Sequence, residues 1–204
     1  MPNKETMNAF FESAANTDLN IKIAKSVGWL NSTLAKVLHT KKSSAVKVGK
    51  MYTFAYAPIG AETLPYWDRF PLVIVLEIRK HTIVGINIHY IPMKDRIKIL
   101  KKLVGSASTT GLSVKSKLQS AFADIKKIPK YNYMIKQYHG AGVKSAILEI
   151  PGNEWGQAVT LPYANFVSGD GDQRRMGPIT KSNLVESKTL AKKMTIDAAQ
   201  GIKP

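Results

Sequence analysis

The 204-residue chain contains no cysteine. That excludes disulfides, thiol nucleophiles and every cysteine-based zinc site, and it fits a reducing compartment. Long apolar runs are missing too. The longest, Pro71 to Leu76, is far short of the roughly 20 residues that span a bilayer. The N-terminus, MPNKETMNAFFES, lacks the basic start and apolar stretch of a secretion signal. Together these absences predict a soluble, non-secreted protein with no membrane partner. Acid is scarce as well: 14 Asp and Glu stand against 30 Lys and Arg, a formal net charge of +16. Such an imbalance says nothing of fold, but it predicts attraction to nucleic acid, an anionic membrane or an acidic protein. Nucleic acid is favoured, because the charge is spread along the chain and not set beside an apolar anchor. Lysine far outnumbers arginine, which suits phosphate neutralisation better than bidentate reading of base edges. The expected partner is double-stranded DNA bound without sequence specificity.

Catalytic patterns are equally sparse. The four histidines, His39, His81, His89 and His139, show neither HExxH nor HxH spacing, so no metal site is expected. His89 lies in an apolar strand-like run, where a hydrogen-bonded structural role is expected. Asp68 followed by Glu77 and Lys80 loosely follows the acid–acid–lysine order of metal-dependent nucleases. The competing reading makes Asp68 a cap of the Tyr66–Arg69 turn, paired with Arg69. Gly140-Ala141-Gly142-Val143-Lys144-Ser145 is not a phosphate-binding loop, because Val143 separates the glycine from the lysine. No catalytic residue and no cofactor is expected.

Periodicity outlines the fold. Residues 4–15 suit a short helix, and Leu19, Ile23, Val27, Leu30, Leu34, Val37 and Leu38 recur at three- and four-residue spacing, predicting an amphipathic helix to about residue 38. After Gly49 the period changes to two. Strands are expected at 47–56, 71–79, 82–90, 144–150 and 157–161, and helices at 93–104, 113–128 and 184–194. This predicts an α+β chain: an N-terminal helical arm (1–45), a β-core (46–167) with a basic helical insertion at 93–140, and a basic, loosely ordered tail (168–204). The preferred architecture is a small antiparallel β-barrel of the Src-homology-three type; a helix-covered antiparallel sheet is the alternative. The segment 91–140 holds eleven Lys or Arg and two acids, more than half of the excess charge. Candidate phosphate contacts are Lys41, Lys42, Lys98, Lys101, Lys102, Lys126, Lys127, Lys130, Arg174 and Arg175, with Tyr131 and Tyr133 placed to stack on a base.

Three segments carry a resemblance: Gly49 to Tyr56 (GKMYTFAY), Leu64 to Leu72 (LPYWDRFPL) and Gly85 to Pro92 (GINIHYIP), followed by Glu154-Trp155. Their order resembles virion proteins of T-even-type tailed bacteriophages, most closely the DNA end protector or head-completion proteins. The resemblance covers roughly residues 47–166. It implies a non-enzymatic virion protein seated on the ends of packaged DNA or at the head–tail junction, beside other virion subunits, acting in the virion and in the host cytoplasm. The motif residues Tyr66, Trp67, Asp68, Phe70, Pro71, Asn87, His89 and Tyr90 are expected to be structural. Two other readings remain at this point: a purely architectural neck or baseplate subunit facing acidic proteins, and a metal-dependent nuclease. Oligomeric state is not legible.

Overall fold

The computed structural model describes residues 19–64, 66–91, 95–96, 99–100, 123, 134–161, 164–168 and 173–176. The helices expected at 4–15 and 184–194 lie outside the described residues. Of those at 93–104 and 113–128, residues 95, 96, 99, 100 and 123 are described, and all are helical.

The first helix, α1, runs Leu19–His39, close to the span its periodicity predicts. Ser26, Leu30, Thr33 and Val37 are buried along one face, three or four residues apart as one helical stripe requires. Two of the four are hydroxyl residues, and the Ser26 hydroxyl hydrogen-bonds that of Thr160. Trp29 Nε1 donates to Glu154 Oε2 at 2.6 Å. Both contacts tie α1 to the region of α2 (Trp155–Val159). Leu38, by contrast, is exposed.

Eight strands follow among the described residues: β1 (Met51–Thr53), β2 (Tyr66–Asp68), β3 (Leu72–Arg79), β4 (Thr82–Asn87), β5 (Ile135–His139), β6 (Leu148–Ile150), β7 (Ala164–Ser168) and β8 (Gln173–Met176). They form a five-stranded sheet of order β5-β4-β3-β1-β6 and a three-stranded sheet of order β2-β7-β8. Every pairing is antiparallel. The β3–β4 hairpin is the one foreseen, with Arg79 opposite Thr82. Its register shifts between Val75 and Glu77, where Leu76 bulges. Gly85 sits against that bulge. A Cβ there would lie 2.3 Å from Val73 Cγ1 and 2.6 Å from the Ile74 carbonyl oxygen, so glycine is required by close approach of the backbones.

Several expectations are corrected. The sheet is open, not a closed barrel: β5 bonds to β4, β6 bonds to β1, and closure would need the two outer strands to pair. Between them stands a 3-10 turn, Gly140–Gly142. The architecture is thus nearer the antiparallel sheet with helices packed on it. Residues 157–159 of the strand expected at 157–161 belong instead to the helix α2. The true fifth strand is β5, inside the stretch read as helical insertion. Strand character at 82–90 ends at Asn87, because the Asn87 side chain accepts the His89 amide and starts a 3-10 turn, Ile88–Tyr90. The strands at 47–56 and 144–150 shorten to three residues each.

The outer edge of β6 is covered by the segment after α1. Ser44 N donates to Ile147 O, Ile147 N to Ser43 Oγ and Glu149 N to Ser44 Oγ. Tyr52 Oη accepts from Lys47 N at 2.9 Å and donates to Ala45 O at 3.0 Å. One face of the sheet builds the main core from Met51, Leu72, Ile74, Ile86 and Ile150, against Leu30 of α1 and Trp155 and Ala158 of α2. Burial of that apolar area is the main stabilising term. Arg96, buried, donates to the carbonyls of Ile91 and Leu161 and pins the two segments together; burial pushes its pKa down to about 10. The other face carries a smaller cluster of Phe54, Tyr56, Val73 and Tyr138, its three rings edge-to-face at 5.0–6.1 Å.

Candidate functional site

The residues singled out in the sequence fall into two groups. Lys41 and Lys42 are exposed, at the start of the segment strapped to β6. Because Ser43 and Ser44 are hydrogen-bonded to that strand, the lysines are presented from an anchored backbone. Among the described residues neither forms an ion pair. Arg174 and Arg175 lie on β8, opposite Phe166 and Asn165 of β7. Lys98, Lys101, Lys102, Lys126, Lys127 and Lys130, with Tyr131 and Tyr133, lie outside the described residues.

Three of the motif residues, Asp68, Asn87 and His89, meet with Tyr138 in one buried polar cluster. Asp68 ends β2 and is 3% exposed. Its Oδ1 accepts the Phe70 amide at 3.1 Å and caps the bend after β2, whereas the Tyr66–Arg69 turn expected there is strand β2 as far as Asp68. Its Oδ2 does not meet Arg69, whose guanidinium stacks over the Phe70 ring. It accepts instead from Asn87 Nδ2 at 2.8 Å and His89 Nδ1 at 2.7 Å. The second Asn87 Nδ2 proton goes to Tyr138 Oη at 3.0 Å, and Asn87 Oδ1 accepts the His89 amide at 3.0 Å. Three donors on one carboxylate make a strong charge-assisted network. Phe70, Pro71 and Tyr90 are buried, Phe70 with Val37 and Ala55 and Tyr90 in the main core; Trp67 is half-buried, and Tyr66 lies on β2 opposite Ser168. His89 is the hydrogen-bonded histidine foreseen, although its Nε2 is buried without a partner among the described residues.

Two residues escaped the sequence reading: Lys136 and Tyr138, two apart on β5. Burial, then the neighbouring Asp68 and Tyr90, hold the Tyr138 phenol well above its ordinary range. Burial alone lowers the Lys136 amine to about 7. Its Nζ lies 4.2 Å from the centroid of the Tyr90 ring. Alternation over Ile135 to His139 was the available signal, masked by the basic helical stretches around it.

Asp68 and Glu77 are not drawn together. Asp68 reaches Asn87, which stands opposite Val73. Glu77 lies four residues farther along β3, roughly 13 Å at the rise of a strand, and exposed, clasped by Arg79 at 2.9 and 3.0 Å. Among the described residues no three His, Asp or Glu side chains are grouped to hold a metal ion. Nor is any described helix long and apolar enough to cross a membrane.

The family model described as Phage T4 terminal DNA protecting protein matches residues 6–176, and so contains the whole polar cluster, both sheets and the strapped lysines. Neither a curated protein nor a solved structure matches the chain. The match extends over most of the 204 residues, and on that ground the chain belongs to the phage T4 terminal DNA protecting protein family.

Proposed function

We propose that this protein is a non-enzymatic virion component that coats the ends of packaged linear DNA through phosphate contacts, shielding them from exonuclease after entry into the host. The family match over residues 6–176 carries this reading. The charge of +16 supports it, because neutralising phosphates releases condensed counterions and gives affinity blind to sequence. Lys41 and Lys42, exposed and anchored, are the contacts proposed within the described residues. Lys98, Lys101, Lys102, Lys126, Lys127, Lys130, Arg174 and Arg175 are proposed to extend that surface. The segments 1–45 and 168–204 are proposed to flank a DNA-facing core, 46–167, and to reach other virion subunits.

Binding of the purified full chain to blunt linear duplex and to a closed circle of the same sequence, across a salt series with magnesium present, tests this reading. Preference for the linear form, affinity falling steeply with salt and intact DNA recovered are the expected results. Equal binding to circle and linear duplex would refute end protection. Failure to bind either at moderate salt would refute DNA binding and favour an architectural role.

A further inference from the structure

The tip of the β3–β4 hairpin is a two-residue turn, Lys80-His81, and both residues are exposed. The end of β5 lies directly beside it. His139 stands opposite Thr82, the Gly140 amide donates to the His81 carbonyl at 2.8 Å, and the His81 and His139 ring centroids are 6.4 Å apart. The 3-10 turn Gly140–Gly142 then leads to Lys144, whose Nζ reaches back to the Ala141 carbonyl at 2.9 Å. Two lysines and two histidines, all exposed, thus share one rim of the molecule.

Three observations separate this rim from ordinary solvated lysines. It is not neutralised. The segments 79–82 and 139–145 contain no acid, and Glu77, farther back on β3, is clasped by Arg79. Among the described residues neither Lys80 nor Lys144 forms an ion pair. It is also held in place. A Cβ on Gly142 would lie 2.6 Å from Tyr56 Cε2 and 2.8 Å from the Ala57 carbonyl oxygen, so the turn is seated against Tyr56, whose hydroxyl accepts from the His139 amide at 3.4 Å. A ligand meets an ordered backbone here, which reduces the entropy lost on binding. Finally, the tautomer of His139 is set. Its Nδ1 accepts the Ala141 amide at 3.2 Å, so the ring is neutral and carries its proton on Nε2, where it is available to a ligand.

Positive charge beside an N–H donor, with no acid between them, suits an anion rich in oxygen acceptors. Apart from the two imidazoles, neither segment holds an aromatic ring or a methionine, the anchors that the core of a protein–protein interface uses. A polyanion that lies across the rim fits better than an acidic protein that must bury part of itself. We propose that Lys80, Lys144 and His139 form a phosphate-contacting rim whose occupant is the sugar–phosphate backbone of duplex DNA. This rests on the DNA-binding reading above and adds to Lys41 and Lys42 a surface assembled by the fold from lysines far apart in the chain. The two kinds of contact leave different signatures. A lysine that neutralises a phosphate releases condensed counterions and steepens the salt dependence, whereas a neutral donor strengthens binding and leaves that dependence alone.

The test is the affinity of the full-length chain for blunt linear duplex across a salt series. Lys80→Gln with Lys144→Gln should lower the slope of log K against log salt by about 1.8, the worth of two phosphate contacts, with the far-UV circular dichroism unchanged. Lys80→Arg with Lys144→Arg should keep the wild-type slope. His139→Asn retains an oxygen to cap Ala141 but withdraws the ring. It should bind about tenfold more weakly, the worth of one hydrogen bond to a charged group, at an unaltered slope. A slope unchanged in the glutamine pair, while Lys41→Glu with Lys42→Glu lowers it, overturns the rim and leaves DNA binding standing. A slope that falls equally in the arginine pair shows a structural loss and overturns the rim as well. Wild-type affinity in His139→Asn removes the histidine from it. If the wild type binds no duplex at moderate salt, the DNA-binding reading and the rim fall together, and retention on immobilised polyglutamate would then make an acidic protein the occupant.

Discussion

Replacing Lys136 by Met should make the folded protein more stable, and the gain should depend on pH. The amine has a pKa of 10.5 in the unfolded chain and about 7 when folded. Between those values the unfolded state holds a proton that the folded state lacks, so stability rises with pH through that window. At about 1.36 kcal/mol per pKa step, the lysine lowers stability near pH 7 by at most about 5 kcal/mol relative to pH above 10.5. Partial exposure of the residue and the Tyr90 contact, worth about 0.5–2 kcal/mol to the ammonium, reduce this. A gain of about 2–3 kcal/mol for Lys136→Met at pH 7, shrinking toward zero by about pH 10, is expected. Urea unfolding of wild type and variant at pH 7, 8, 9 and 10, at one ionic strength, measures it. The amine faces the Tyr90 ring, and Tyr138 stands two residues along the same strand. Tyr138, held well above its ordinary range, keeps its proton throughout, and repeating the series in His89→Gln shows whether the slope belongs to the lysine. A variant less stable than wild type at pH 7, or a gain constant with pH, would refute the reasoning. The amine would then be a structural contact and not a strained one.

Asp68→Ala orphans His89 Nδ1 and the Phe70 amide and takes one of the two acceptors of Asn87 Nδ2, so a loss of about 3–5 kcal/mol is expected in urea unfolding. A loss below about 1 kcal/mol would mean the cluster is solvated. Gly85→Ala sets a methyl group against the Ile74 backbone, which cannot rotate away, and should destabilise by about 1–3 kcal/mol or more; an unchanged midpoint would mean that the bulge relaxes. For Lys41→Glu with Lys42→Glu, the slope of log K against log salt should fall by about two phosphate contacts' worth, about 1.8, with the far-UV circular dichroism unchanged. An unaltered slope would place the DNA elsewhere.

What was legible followed from local pattern. The three- and four-residue spacing from Leu19 to Leu38 marks α1, and the unbroken Val, Ile and Leu run marks β3, buried on both faces from Leu72 to Leu76. What was not legible depended on distant partners. Asp68 was readable as a local cap, and its Oδ1 does cap a bend, though the one after β2 and not a Tyr66–Arg69 turn; its other oxygen selects Asn87 and His89, 19 and 21 residues away. The segment Gln157 to Leu161 has strand composition, yet Trp155 anchors its Nε1 on the Ile150 carbonyl and buries with Ala158 against the sheet, which a helical turn achieves and a strand does not. Lys136 and Gln137 gave β5 the look of a basic helix, because polar residues turned inward resemble those turned to solvent when only the sequence is read. Asp68, Asn87 and His89 of the motif meet in a buried hydrogen-bonded group, and the orphaned nitrogen on His89 was beyond any one-dimensional signal.

The strap along β6 bears on how the protein behaves when crowded. A bare outer strand is a template: it offers a repeating row of amides and carbonyls to the edge of any copy that drifts past, and stacking of copies follows. Ser43 and Ser44 occupy part of that row with hydroxyl groups and a single amide, out of step with the spacing of a true strand, and positive charge at Lys41 and Lys42 sits beside it. A neighbour approaching this rim finds no continuous ladder to extend and meets like charge. Where copies are concentrated, that irregular selvage keeps this edge from seeding a fibre.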